Sequence, residues 1–110
     1  MKAYNFYVYL LTNYHKTVLY TGVTNDLVER IRDHYNGRGN PAYFTGRYHV
    51  FYLLYYEHFK YIDNAIAREK EIKGWTRAKK EKLIRTENPL FLFLNTDLFE
   101  KWPPEADNEL

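Results

Sequence analysis

Three polar side chains stand where packing alone would not put them. In YIDNAIAREKEIKGW, residues 61–75, a helix turning about 100° per residue gathers Ile62, Ala65, Ile66 and Ile72 on one side. Glu69 falls in their midst, and Glu71 points nearly opposite. An ionised carboxylate facing a core is costly unless a cation accompanies it, so Glu69 reads as half of a buried salt bridge, as a residue at the end of a short core face that reaches water, or as a ligand for a metal ion. In LVERIRDHY, residues 27–35, the apolar stripe is Leu27, Val28, Ile31 and Tyr35. Arg30 and His34 lie one turn apart at its margin. A guanidinium there can grip a phosphate with two parallel hydrogen bonds, and an imidazole can hydrogen-bond the same group or titrate near neutral pH. Alone, each also reads as an ordinary boundary residue. Tyr7, Tyr9, Tyr20, Tyr52, Tyr55 and Tyr56 fall on strand-like segments, where packing with a hydrogen-bonded hydroxyl is the common role.

The elements that must position these groups follow from pattern. Residues 5–12, NFYVYLLT, and 17–23, TVLYTGV, read as two strands joined by the turn NYHK. Gly22 near the end of the second permits a bend or a close backbone approach. Asp26 with Glu29 resembles a capping box opening the helix of Arg30 and His34, and NGRGNP, residues 36–41, ends it. Residues 49–57, HVFYLLYYE, form a continuous apolar run that suggests a central strand buried on both faces. Asp63 or Asn64 can start the Glu69 helix and Gly74 can close it. Thr76 can cap a last helix, RAKKEKLIRT, stopped at Asn88-Pro89. Residues 90–99, LFLFLNTDLF, suit either a packed terminal segment or a short edge strand. The order β-β-α-β-α-α describes an α+β domain.

The bulk properties agree with one such domain. The chain has 110 residues, 45% hydrophobic and 19% aromatic, with twelve tyrosines and no cysteine. Disulfides and thiolate metal sites are therefore excluded. No HExxH, P-loop, GxSxG or zinc framework is present. The opening apolar run stops at Thr12-Asn13, too short to span a membrane and without a leader-like cleavage site, so a cytoplasmic protein is expected. Residues 60–85 carry nine Lys or Arg against four Asp or Glu, while residues 86–110 carry one against six. The basic middle suits a polyanion, although a solvated helical face has the same composition. Residues 1–102 read as the domain and 103–110 as an acidic, disordered tail.

Taken together, these residues resemble the GIY-YIG endonucleases. YVY at 7–9 and, ten residues on, YTG at 20–22 are similar to the family's paired motif. Arg30 stands where the family has its helix arginine, and His34 where members carry histidine or tyrosine. Glu69 matches the metal-binding glutamate, and Asn88 the late asparagine of some members. The likeness runs from about Tyr7 to Asn88 and is greatest to small stand-alone bacterial members. It implies a central antiparallel three-stranded sheet flanked by helices, and Mg²⁺-dependent hydrolysis of DNA phosphodiesters, with Mn²⁺ an alternative cation and repair or recombination of branched or single-stranded DNA a fitting context.

By position, the resemblance gives Glu69 the metal, Arg30 the charge of the pentavalent transition state, and Tyr9 or Tyr20 the attacking water. His34 assists by hydrogen bonding, and Gly22 lets the backbone pass close. Tyr7 replaces the motif's first glycine and Thr21 its isoleucine. Val23 stands where the repair-incision branch has a lysine, for which Lys16 in the hairpin is a candidate substitute. No appended DNA-binding domain is visible. DNA would then rest on the basic segment, through Lys73, Arg77, Lys79 and Lys80, with GRGNPAYFTGR as a second surface. Such binding is weak and salt-sensitive, and a protein partner could supply specificity. A non-catalytic nucleic-acid-binding or adaptor module that kept the fold is the alternative reading, and RNA stays open as a substrate because nothing in the chain reads a 2′-hydroxyl.

Overall fold

A computed structural model describes residues 4–104. Its centre is the strand β1, Phe6–Thr12, flanked antiparallel by β2, Leu19–Thr24, and by β3, Tyr52–Phe59, in the order β2-β1-β3. Side chains of a strand alternate between faces, and both faces of β1 are covered. Val8 and Leu10 pack with Ala65, Ile72 and Ile84 on one side. Tyr9 and Leu11 pack with Leu27, Ile31 and Val50 on the other. The strand buried on both faces is thus β1, and the expectation that residues 49–57 supply the central strand is corrected.

β3 is an edge strand whose free side is covered, over its first residues, by the chain of residues 88–95. Asn95 accepts from the backbone N–H of Leu53 at 2.8 Å and donates to the carbonyl of Phe51 at 3.0 Å. The N–H of Leu94 donates to Leu53 O at 2.8 Å. A register shift at Leu10/Leu11 leaves Leu54 outside the ladder, and its carbonyl accepts from Asn88 Nδ2 at 3.0 Å. An open edge would present unpaired backbone groups to other chains. Here two asparagine side chains and one loop amide complete it, which is why an apolar run on an edge reads like a central strand.

The helices begin and end largely where local chemistry places them. α1, Leu27–Asn36, is capped by Asp26, which accepts from Glu29 N at 3.1 Å, and it ends at Gly37. The reciprocal half of a capping box is replaced by an ion pair of Glu29 with Arg32 at 2.9 Å. α3, Ile62–Lys73, starts at Tyr61 without a side-chain cap, a little before the expected Asp63 or Asn64, and closes at Gly74. α4, Arg77–Glu87, is capped by Thr76 and ends at Asn88. Two short helices are additional: α2, Phe44–Arg47, inside the turn-like segment, and α5, Asn95–Leu98, inside the packed terminal segment. Residues 90–99 therefore form no edge strand. Residues 105–110 of the expected acidic tail lie outside the described residues.

α3 differs from its helical-wheel reading in one respect. Its buried residues are Ala65, Glu69 and Ile72, whereas Ile62 is 49% and Ile66 36% exposed. The buried stripe is narrow, and Glu69 sits inside it. No helix among the described residues is long and apolar enough to cross a membrane.

Candidate active site

β1 carries Tyr9 into the core at 2% exposure, directly across from Gly22 on β2. A Cβ on residue 22 would overlap the ring and hydroxyl of Tyr9. Glycine is required there because the phenol lies against the β2 backbone. α1 then presents His34 to that phenol, with Nε2 3.1 Å from the Tyr9 hydroxyl. The other ring nitrogen, Nδ1, lies 3.1 Å from Oγ1 of Thr45, a buried residue of α2. Burial, and then the charge of Arg30, push the His34 pKa down to about 4, against a smaller opposite pull from Asp33. The imidazole is neutral at pH 7. A neutral ring has one donor and one acceptor, so the two contacts are coupled. If Tyr9 donates to Nε2, then Nδ1–H donates to Thr45, and reversing one reverses the other.

Burial is also the main cause that raises the Tyr9 pKa, reinforced by Tyr20 and Glu69 and opposed by Arg30. Tyr9 keeps its proton at neutral pH. Tyr20 completes the aromatic wall, with its ring centroid 6.3 Å from that of Tyr9, edge-on to His34 at 5.5 Å and stacked with Phe44 at 6.2 Å. Tyr20, Arg30, His34, Phe44 and Thr45 line one cleft of about 490 Å³. Arg30 is exposed and has no ion-pair partner among the described residues.

Glu69 approaches from α3, which packs along β1 and β2, and its charge is felt at Tyr9. It does not line the cleft. Its carboxylate is paired with Lys73, Oε2 to Nζ at 2.8 Å, and the lysine side chain is 54% exposed. That hydrogen bond is the first cause raising the Lys73 pKa. Among the described residues no three acidic, histidine or cysteine side chains cluster as a ready metal cage. Glu69 still fits a hard divalent cation, because Mg²⁺ characteristically takes one or two carboxylates and fills its remaining positions with water and substrate phosphate. Lys73 is the counter-ion it would displace, and an ion pair with one exposed partner is weak.

The remaining sequence candidates lie apart from this cluster. Arg77 donates to the carbonyls of Lys16 and Thr17 at 2.8 and 2.9 Å and to Glu81 at 2.7 Å, fastening α4 to the β1–β2 hairpin. Lys16 sits in that hairpin at φ 59°, its ammonium 5.1 Å from the centroid of Phe93. Lys79 lies 4.5 Å from the ring centroid of Trp75, and Lys80 is half-buried on α4. Asn88 is buried, with its amide spent on the backbone of Leu54 and Leu92. Phe44 and Thr45 entered the sequence reading only within the GRGNPAYFTGR surface; their contacts with Tyr20 and His34 had no signal, because nothing local ties residues 44–45 to a helix eleven residues earlier.

Comparison with known proteins decides the family. Residues 5–82 match the GIY-YIG catalytic domain. The chain belongs to the GIY-YIG family. A UPF0213 protein of Natronomonas pharaonis is 41% identical over 85 residues, which span 77% of this chain and 96% of that one. One from Clostridium perfringens is 43% identical over 82 residues, 74% of this chain and 85% of its own. The solution structure of a UPF0213 protein from Bacillus halodurans superposes with a TM-score of 0.51 at 33% identity, covering 84% of this chain and 93% of that one. The GIY-YIG resemblance of the sequence and the three-stranded antiparallel sheet both hold.

Proposed function

We propose that this GIY-YIG protein is a nuclease that hydrolyses DNA phosphodiester bonds with a divalent cation, Mg²⁺ or Mn²⁺, on Glu69. The observation that supports this most is an unpaired guanidinium, Arg30, sharing a cleft with Tyr20 and His34 while a chain of hydrogen bonds runs from Tyr9 through His34 to Thr45. A cation on Glu69 supplies charge neutralisation at the phosphoryl oxygens and the leaving 3′-oxygen. Arg30 stabilises the extra negative charge of the pentavalent transition state. Tyr20, whose hydroxyl makes no side-chain hydrogen bond among the described residues, orients the attacking water. Tyr9 takes the water's proton as its own passes to His34 Nε2, and Thr45 holds the tautomer that accepts it.

The Glu69–Lys73 ion pair favours a second reading, a metal-free binding or adaptor module in which that carboxylate only fastens α3. Cleavage separates the two. Labelled single-stranded, duplex, flap and four-way DNA are incubated with parent protein or Glu69→Gln, in Mg²⁺, Mn²⁺ or EDTA. The nuclease reading expects metal-dependent products from the parent and about a hundredfold less from the variant. Binding without strand breaks on every substrate supports the module.

A further inference from the structure

The cleft that Arg30 lines also carries an aromatic shelf that the catalytic roles leave unused. The segment AYFTGRYH places Tyr43, Phe44 and Tyr48 on and around α2. They are 66%, 47% and 44% exposed. Phe44 touches Tyr48 at 4.9 Å and lies nearly parallel to Tyr20, at 23°. The shelf is therefore continuous with the ring that faces His34.

Its mounting is rigid. Gly39 N donates to Gly46 O at 2.8 Å, and Val50 N donates to Thr45 O at 2.8 Å. A Cβ on residue 46 would collide with the carbonyls of Gly37 and Asn40, so the loop is pressed onto α2 backbone to backbone. With the backbone held this way, only the side-chain torsions of the rings remain to be fixed when a ligand covers them.

These rings also carry no cation of the fold among the described residues. Cations of the fold cover Tyr35, Tyr61, Trp75, Phe91 and Phe93. Among the described residues none lies over Tyr20, Tyr43, Phe44 or Tyr48. An apolar, uncharged π-face beside an unpaired guanidinium is matched by a planar base attached to a phosphodiester: the base stacks and the phosphate meets Arg30. A base still inside a duplex offers its edge and not its face. We propose that Phe44 and Tyr43 stack an unpaired base next to the phosphate held at Arg30, so that the protein prefers single-stranded DNA or an unpaired segment over intact duplex. The proposal rests on the nuclease reading for its substrate class, but its test does not require cleavage.

Binding is measured in EDTA with a single-stranded oligonucleotide carrying 2-aminopurine, and with the blunt duplex of the same sequence. The parent is expected to bind the single strand more tightly and to change the 2-aminopurine fluorescence as the base restacks on the shelf. Phe44→Leu keeps apolar volume but removes the π-face, and Tyr43→Ala alters a ring that has no aromatic neighbour among the described residues. Each is expected to weaken single-strand binding by about five- to a hundredfold. Phe44→Tyr restores it, and circular dichroism confirms folding of each variant. Equal affinity of parent and variants for the single strand, no preference over duplex, or no single-strand binding by the parent overturns the shelf. The two claims fail separately. A parent that cleaves in Mg²⁺ while the shelf variants bind like it keeps the nuclease and loses the shelf. Shelf-dependent binding without cleavage does the reverse.

Discussion

His34 is the residue whose surroundings matter most, since it joins two other side chains that sequence distance keeps apart. Burial and Arg30 hold its pKa at about 4, below the ordinary 6.5. Between those values the folded protein binds fewer protons than the unfolded chain. The stability contributed by a neutral His34 is therefore complete above about pH 6.5 and is lost as pH falls toward 4. Denaturant unfolding at pH 7 and pH 5 is expected to show parent losing more stability than His34→Gln. Equal losses would mean that His34 is not held neutral. The same residue shows how much of the site was legible. Arg30, His34 and Glu69 could be found because each breaks a local apolar pattern. Thr45 could not, because its role exists only once α2 folds back over α1. Arg77, expected on the DNA surface, and Asn88, matched through the resemblance alone, both have side chains engaged with backbone carbonyls.

At the level of elements, signals confined to one turn of chain survived and signals needing a neighbour did not. Asp26, Gly74 and Thr76 act within three or four residues of themselves, and each cap forms as expected. The placement of β3 depended on what covers its second edge, and that cover comes from residues 88–95. Ile62 and Ile66 lie on the apolar side of their wheel yet stay exposed, because α3 buries only the narrow stripe of Ala65, Glu69 and Ile72. The edge cover can be tested directly. Asn95→Ala leaves Leu53 N–H and Phe51 C=O buried without partners, for an expected loss of about 2–4 kcal/mol. Urea unfolding reads this loss, and a change below about 0.5 kcal/mol would show that the edge is held by the Leu94 amide and Asn88 without Asn95.

Across the whole molecule, charge counted along the chain overstates the charge on offer. Residues 60–85 hold nine cations, but Arg68, Lys73, Arg77 and Arg85 are ion-paired within the fold. Lys79 rests on Trp75. The basic segment is thus a modest backbone grip, and a polyanion held by few phosphate contacts dissociates readily in salt. Arg30 differs in standing unpaired at the cleft. Among the described residues several cations brace the fold, and Arg30 is the one that the proposed mechanism sets against the phosphate.

That distinction makes Arg30 the most direct test of DNA hydrolysis at this cleft. Single-turnover cleavage of a labelled DNA strand in Mg²⁺ is compared for parent and Arg30→Ala, with binding measured in EDTA and folding checked by thermal melting. The account predicts a rate constant on saturated strand lower by about a hundred- to a thousandfold, with the melting temperature little changed and a much smaller loss of strand affinity from the missing phosphate contact. A variant that cleaves at the parental rate would contradict it.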